Sequence, residues 1–283
     1  MPELPEVETI RLYLHKHLIG KTIIDIDIRE PKQFHGDPKQ AVRKSVELIG
    51  RTGKILHIKL HDDKQPLYLS FHLKLSGQIL FSQNKDNSEF TNIIPRTNTK
   101  RMPASTTRII LYFDDNSALY FNDMRKFGWV KLSENPEEPL AADILSPVFT
   151  YEYFNRALEG VRRPIKVVLL DQEKMAGIGN IYANDSLWEA QIHPARKTNT
   201  LTEQEKKALY DSILKIIHEG IRYRGSSAKD ELYVLPDSKK GTYQLHFKTY
   251  HQQGKPCKRC QTIIQRIAVG GRGTFYCPHC QLL

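Results

Sequence analysis

Cysteine is scarce in this sequence: four among 283 residues, none before position 257. A disulfide framework is excluded ahead of that point, and the late cluster reads as a metal site. No apolar run is long enough to span a bilayer, and no secretory h-region stands near the start. A soluble, cytoplasmic protein with no membrane partner is therefore expected. No unit repeats and no tract is of low complexity, which excludes solenoids and long linkers. Negative charge is short as well. Thirty-two acidic residues face forty-two basic ones, a net charge of +10. From 222 to 283 there are eleven Lys/Arg and three Asp/Glu, so most of the excess sits at the C-terminal end. Such an imbalance excludes an acidic, self-solvating chain and points to a polyanionic partner, with a nucleic-acid surface near that end.

The length allows a real core, in two domains rather than one. Val7, Ile10, Leu14 and Leu18 recur at helical spacing, and Gly20 ends that helix. Strand-like alternation follows at 22–28 and 67–73, with shorter strands at 55–60, 109–113, 118–121 and 128–132 and a turn at 114–116. Several short strands argue for a sandwich or barrel. Residues 83–105 are polar and weakly patterned and read as a long surface loop. The Pro-rich, acidic stretch 133–147 reads as the interdomain linker. Helical patterns then cover 151–158, 165–174, 181–190 and 203–222, the last opening on a Thr202–Glu205 capping box. Residues 225–240 read as a polar, glycine-containing loop.

Chemistry is concentrated in five places. Cys257-x2-Cys260-x16-Cys277-x2-Cys280 has the spacing of a Cys₄ zinc ribbon. With four sulfur ligands no position stays open for water, so one structural zinc is expected. Between the pairs, VGGRG displays Arg272 near a turn, where a guanidinium suits phosphate as readily as solvent. In AGIGNIYAND (176–185), Gly177 and Gly179 allow a tight turn and leave Asn180 at a helix start, an anion site or an ordinary turn. NDMRKFGW (122–129) sets Arg125 and Phe127 at a strand end, where the aromatic either packs the core or fills the gap left by a flipped base. The first eight residues, MPELPEVE, place Glu3, Glu6 and Glu8 where a helix N-terminus favours acids. Removal of Met1 would expose Pro2 as a secondary amine, nucleophilic because α-amino groups titrate near ~8, with Glu3 beside it as an acid or base.

MPELPEVET resembles the start of the formamidopyrimidine-DNA glycosylase branch of the Fpg/Nei family, and PELPE favours that branch over the endonuclease VIII branch. AGIGNIYANDSLWEAQIHP matches the family's helix–two-turn–helix signature. HLKLSGQ (72–78) resembles its HLxMSG loop, with Leu75 where methionine is usual, and GKILHIKL places Lys54 where the family carries a phosphate-binding lysine. Together with the zinc spacing, the matches run in order along the whole chain.

The resemblance implies an α+β, multi-domain fold. An N-terminal β-sandwich with an N-terminal helix (1–134) leads through a linker (135–150) to a helix–two-turn–helix domain (151–245) and a Cys₄ zinc finger (246–283), with DNA in the cleft between domains. It implies a bifunctional DNA glycosylase and AP lyase of base excision repair, acting as a monomer on damaged duplex DNA. Oxidised purines (8-oxoguanine, formamidopyrimidines) would be flipped out and removed, and the abasic strand cut by β,δ-elimination through a Schiff base on Pro2. Glu3, Glu6 and Lys54 complete the implied catalytic set. His72, Asn180, Tyr250 and Arg272 are implied phosphate grips, and Leu75, Arg125 and Phe127 the groups that replace the extruded nucleotide.

The sequence departs from the family in three stretches. The loop 226–241, which in the family covers the flipped purine, is unusual. TYHQQGKPC keeps Tyr250 but lacks the family's Gly-Arg pair, and 83–105 is an insertion. Two other classes fit parts of the chain. A silent DNA-binding relative would not need the intact Pro2 and Glu3. A zinc-ribbon RNA-binding factor would have no role for PELPE or the wedge motifs.

Overall fold

The computed structural model describes residues 1–63, 65–227 and 233–283. Helix α1 (Leu4–Leu18) opens on a capping box in which the Glu3 backbone N–H donates to Glu6 Oε2 at 2.9 Å. Pro5 occupies the first turn, where a missing N–H is harmless. His15, Lys16 and His17 fill the last turn, opposite the negative end of the helix dipole. Gly20, at φ +83°, turns the chain out.

Nine strands follow: β1 (Ile23–Ile28), β2 (Phe34–His35), β3 (Val46–Thr52), β4 (Ile55–Leu60), β5 (Leu67–His72), β6 (Gly77–Ser82), β7 (Thr107–Phe113), β8 (Ala118–Asp123) and β9 (Trp129–Ser133). They form a four-stranded sheet, β1-β7-β8-β6, and a five-stranded sheet, β2-β9-β5-β4-β3. Only the short β2–β9 pair is parallel. One core collects the inward residues of both sheets, among them Phe71, Leu69, Ile58, Phe113 and Phe121, together with Val7, Ile10, Leu14 and Leu18 of α1. The strand pattern thus makes the sandwich that period-2 burial requires.

The reading of 83–105 as a surface loop is corrected. Phe90, Ile94 and Met102 are buried in a second, smaller core against Leu80, Ile110, Ala118 and Tyr120. These four residues form the outer face of the four-stranded sheet, since the alternate residues Ile79, Ile109, Leu119 and Phe121 face the main core. Every residue of β8 is therefore buried. Three anchors in an otherwise polar stretch, together with Val234, cover that face.

The chain divides into two compact units, Met1–Glu138 with Tyr223–Gln244, and Pro139–Arg222 with Leu245–Leu283. Residues 223–244, grouped by sequence with the helices, fall in the sandwich unit because Tyr233 and Leu235 enter its core. The second unit holds α2 (Tyr151–Leu158), α3 (Ile165–Leu169), α4 (Asn180–Glu189), α5 (Glu203–Arg222) and a hairpin of β10 (Gln265–Val269) and β11 (Arg272–Tyr276). Helix α3 stops short of the expected 174. The Gln172 amide takes over, donating to the carbonyls of Leu170 and Ile178 and accepting from Gly177 N–H. Helix α5 has the expected capping box, with Thr202 N–H on Glu205 Oε2 and Glu205 N–H on Thr202 Oγ1. Among the described residues no helix is long and apolar enough to cross a membrane.

On β4, His57 is buried with Nδ1 3.0 Å from Ser70 Oγ, and its Nε2 has no hydrogen-bond partner among the described residues. Burial, and then the nearby Arg51 charge, push the imidazole down to about 4. Below pH 6.5 the unfolded chain takes up a proton that the native state refuses, so stability is complete above 6.5 and is lost as the pH falls towards 4. Between pH 7 and pH 5 urea unfolding should register a loss of about 1–2 kcal/mol from this group. His57→Asn should remove that part of the slope. An unchanged slope would show that His57 does not carry it.

Candidate active site

Glu3 and Glu6 are 3% and 1% exposed, and Pro2 is buried next to them. A carboxylate so far from water needs donors. Glu6 has one on each oxygen: Glu3 N–H on Oε2 at 2.9 Å and Ser226 N–H on Oε1 at 2.8 Å. Gly225 makes the second approach possible. It sits at φ +74°, and a Cβ there would lie 2.8 Å from Glu6 Oε1. Glu8, two residues further along α1, belongs to a different arrangement. Burial acts to raise its carboxyl, but bonds from Arg11 and Arg51 outweigh this and hold it below the usual range.

Two loops of the same unit present the implied wedge residues. Leu75, 40% exposed, rides on a tight turn in which Gly77 N–H donates to Leu73 O at 2.8 Å. A Cβ on Gly77 would meet that oxygen at 2.5 Å. Phe127, 52% exposed, and Arg125 follow β8, with the Arg125 guanidinium 4.8 Å from the Phe127 ring centre. Both loops are tied to Asp123, which is fully buried. Its carboxylate accepts from Ser76 Oγ, from the N–H groups of Arg125 (3.2 Å) and Gly128 (2.7 Å), and from Gln33 Nε2 (3.0 Å). Sequence reasoning passed over Asp123 and Ser226. Gly77 and Asp123 face each other in the β6–β8 register, so an acid shortly after the apolar run 118–121, opposite Ser-Gly, was the available signal.

Lys54 stands at the β3–β4 turn and His72 at the end of β5, and the register pairs Ile55 with His72. Burial, then the charges of Lys74 and Lys54, drive the His72 imidazole down to about 3. Lys74 N–H donates to Nδ1 at 3.0 Å, so Nε2 carries the ring proton. His72 is therefore a neutral donor.

In the second unit Asn180 opens α4, and its Nδ2 donates to Gly273 O at 3.2 Å. That carbonyl also accepts from Lys166 Nζ, which is buried and bonded to Thr274 Oγ1 as well. The side chains of α3 and α4 thereby fix the hairpin carrying Arg272. Gly270 and Gly271 have φ +58° and +72° and lie between Val269 and Arg272, the paired ends of β10 and β11. This is a two-residue turn with both residues left-handed, and it leaves Arg272 exposed. Tyr250 is largely buried, stacked on His251 with ring centres 4.4 Å apart. The buried Asp185 carboxylate, also unforeseen, collects the N–H groups of Lys248, Thr249 and Tyr250.

Family models match almost the entire length: the formamidopyrimidine-DNA glycosylase N-terminal domain over 1–130, its H2TH domain over 140–231, and a zinc finger found in FPG and IleRS over 254–282. A formamidopyrimidine-DNA glycosylase of Exiguobacterium is 35% identical, the alignment covering 99% of each chain. One of Chloroflexus aurantiacus is 37% identical, over 100% of this chain and 98% of the relative. The chain belongs to the formamidopyrimidine-DNA glycosylase family. The fold agrees. MutM (Fpg) of Thermus thermophilus superposes with a TM-score of 0.85 at 32% identity, covering 99% of this chain and 98% of that one. Lactococcus lactis Fpg in complex with abasic-site DNA gives 0.83 at 31% identity, with both chains fully covered.

The family's zinc finger contains all four cysteines, whose sulfurs lie within 4.8 Å of one another. Tetrahedral zinc with Zn–S bonds near 2.3 Å separates its sulfurs by about 3.8 Å. Here Cys257–Cys280, Cys260–Cys277 and Cys260–Cys280 are 4.0, 3.4 and 3.3 Å apart, so the set fits one zinc ion. Trp188 Nε1–H and the Arg259 N–H donate to the Cys257 sulfur, and the Cys280 N–H to that of Cys277, as thiolate ligands require. Elemental analysis should find one zinc per chain. Because metal binding is folding free energy for so small a hairpin, Cys277→Ser should lower duplex-DNA affinity by about tenfold or more as Arg272's support is lost. The melting of the sandwich unit should persist. Full affinity in a zinc-free variant would contradict this.

Proposed function

We propose that this chain removes oxidised purines, 8-oxoguanine and formamidopyrimidines, from duplex DNA, and cuts the abasic strand by β,δ-elimination. The observation that carries the reading is the buried Glu3–Glu6 pair directly after Pro2. Once Met1 is removed, the Pro2 nitrogen is a secondary amine; with Met1 in place it is an amide and cannot attack. The amine forms a bond to C1′ of the flipped nucleotide as the bond from C1′ to the base breaks; the electron pair leaves with the base, which takes up the proton the amine gives up. Glu3 delivers a proton to the ring oxygen as the sugar opens, leaving an iminium on Pro2. Glu6 keeps its place by accepting the Glu3 N–H, which fixes the acid's backbone. Loss of a C2′ proton from the iminium expels the 3′ phosphate, a second elimination expels the 5′ phosphate, and water releases Pro2. The zinc takes no part in these steps and only shapes the ribbon.

Duplex DNA is the partner this reading requires. Lys54, His72, Asn180, Tyr250 and Arg272 are assigned to the phosphates, His72 as a neutral donor. All these groups come from one chain, which supports a monomer.

Borohydride should trap the wild-type chain on an abasic-site duplex, and the trapped protein should begin at Pro2. Pro2→Gly should cripple base removal. Glu3→Gln should slow base removal more than cleavage of a ready-made abasic site, where no base has to be expelled. Wild-type rates with Met1 fully retained would sink the assignment.

Flipping leaves a gap that costs a few kcal/mol of stacking and pairing. We assign Leu75 to the vacated space, Phe127 to a wedge between bases, and Arg125 to the orphaned partner base. Arginine has donors only, so cytosine, with two acceptors, should be preferred opposite the lesion. In single-turnover excision of an oxidised guanine paired with each base in turn, Arg125→Ala should flatten the ranking and Phe127→Ala should lower the rate. An unchanged ranking and rate would mean that these residues only pack the loop.

A further inference from the structure

The excision chemistry leaves 83–105 without a task, yet this insertion is anchored at both edges. On one side Asn116, in the β7–β8 turn, accepts Lys85 N–H with its backbone carbonyl and donates its Nδ2 to Asn84 and Asp86. On the other, Asn92 makes two bonds to Ser238, from its N–H to Oγ and from Nδ2 to the carbonyl, both at 3.1 Å. Ser238 is fully buried and left-handed at φ +67°. The turn it belongs to is closed by Leu235 N–H on Lys239 O and Ser238 N–H on Leu235 O. Val234 enters the insertion's small core, whereas its neighbours Tyr233 and Leu235 enter the main one. Residues 233–235 are thus held from both faces. The Tyr233 carbonyl in turn accepts the Ser227 hydroxyl at 2.8 Å, and the next residue back, Ser226, supplies the N–H on Glu6.

We propose that 83–105 is a positioning element for base removal: through Asn92 and Val234 it holds 233–238, and through Tyr233 and Ser227 it keeps the Ser226 N–H on Glu6. The assignment rests on the excision chemistry proposed above. A slack joint lets Glu6, and with it the Glu3 backbone, lose its place. Base removal needs that acid, and a ready-made abasic site does not need a base expelled. The two reactions should therefore separate when the joint is loosened, whereas a general loss of stability lowers both together.

The test compares single-turnover rates on a duplex containing a formamidopyrimidine and on one containing an abasic site. Asn92→Ala and Ser238→Gly, the latter still at ease at positive φ, should each slow base removal about three- to tenfold, as expected for one or two hydrogen bonds. Abasic-site cleavage should stay within about twofold of wild type. The double variant should be little slower than the slower single one, because both act at one joint. Arg101→Ala, which breaks the exposed pair with Glu89 elsewhere on the insertion, should change neither rate. Equal loss of both reactions, or loss of neither, overturns the assignment while leaving the excision chemistry intact. Absence of a borohydride-trapped adduct in the wild type overturns the excision chemistry and this assignment with it.

Discussion

A carboxylate removed from water keeps its charge only where donors replace the solvent, and Glu6 is removed almost entirely. Its first donor is local, the Glu3 N–H that a helix start leaves free. Its second is Ser226 N–H, 220 residues away in sequence. That one bond requires the chain to return to the sandwich unit after the helices, and the return imposes its own conditions. Gly225 must lack a Cβ to approach Glu6, and Gly241 must lack one because a Cβ there would lie 2.3 Å from Gly225 O. Tyr233 and Leu235 then anchor the returning segment in the main core. The segment that supplies the second donor to Glu6 therefore lies in the sandwich unit.

The same constraint recurs wherever an exposed group must be held still. Asp123 ties the loops of Leu75 and of Arg125 and Phe127 to one buried carboxylate, so those loops share a single anchor. Asp185 does the same for the backbone of 248–250, and Lys166, an inverted case, gathers a carbonyl and a hydroxyl of the hairpin beside Arg272. Each of these groups would strand its partners if truncated, which is why buried polar networks specify geometry more than they add stability.

What the sequence made legible were features with a period or a fixed spacing. The apolar repeat of α1, the alternation at 55–60 and 67–73, the Thr202–Glu205 box and the cysteine pairs all stand where local chemistry puts them. What stayed hidden were consequences of distant packing. Strand β6 (Gly77–Ser82) is buried on five of six residues and shows no alternation, because the insertion covers its outer side. Strand β3 (Val46–Thr52) carries a register shift between Val46 and Leu48 that breaks its period. Phe90, Ile94 and Met102 are too far apart in sequence to announce a core. Asp123 and Asp185 look like surface acids until their donors are placed, and Ser226 has no signature at all. The loop residues 228–232, part of the departure at 226–241, lie outside the described residues.

A single exposed apolar side chain is ordinary, but one held on a rigid turn has a fixed direction. Leu75 and Phe127 are such side chains, and each sits on a turn whose backbone has no slack: Gly77 cannot accept a Cβ, and Gly128 is closed in by His72 O and the Phe121 ring, both 2.8 Å from where its Cβ would be. The buried Asp123 carboxylate holds the backbone of both loops in place. The network around Asp123 thus does for the loops of Leu75, Arg125 and Phe127 what Ser226 and Glu3 do for Glu6: it fixes their geometry.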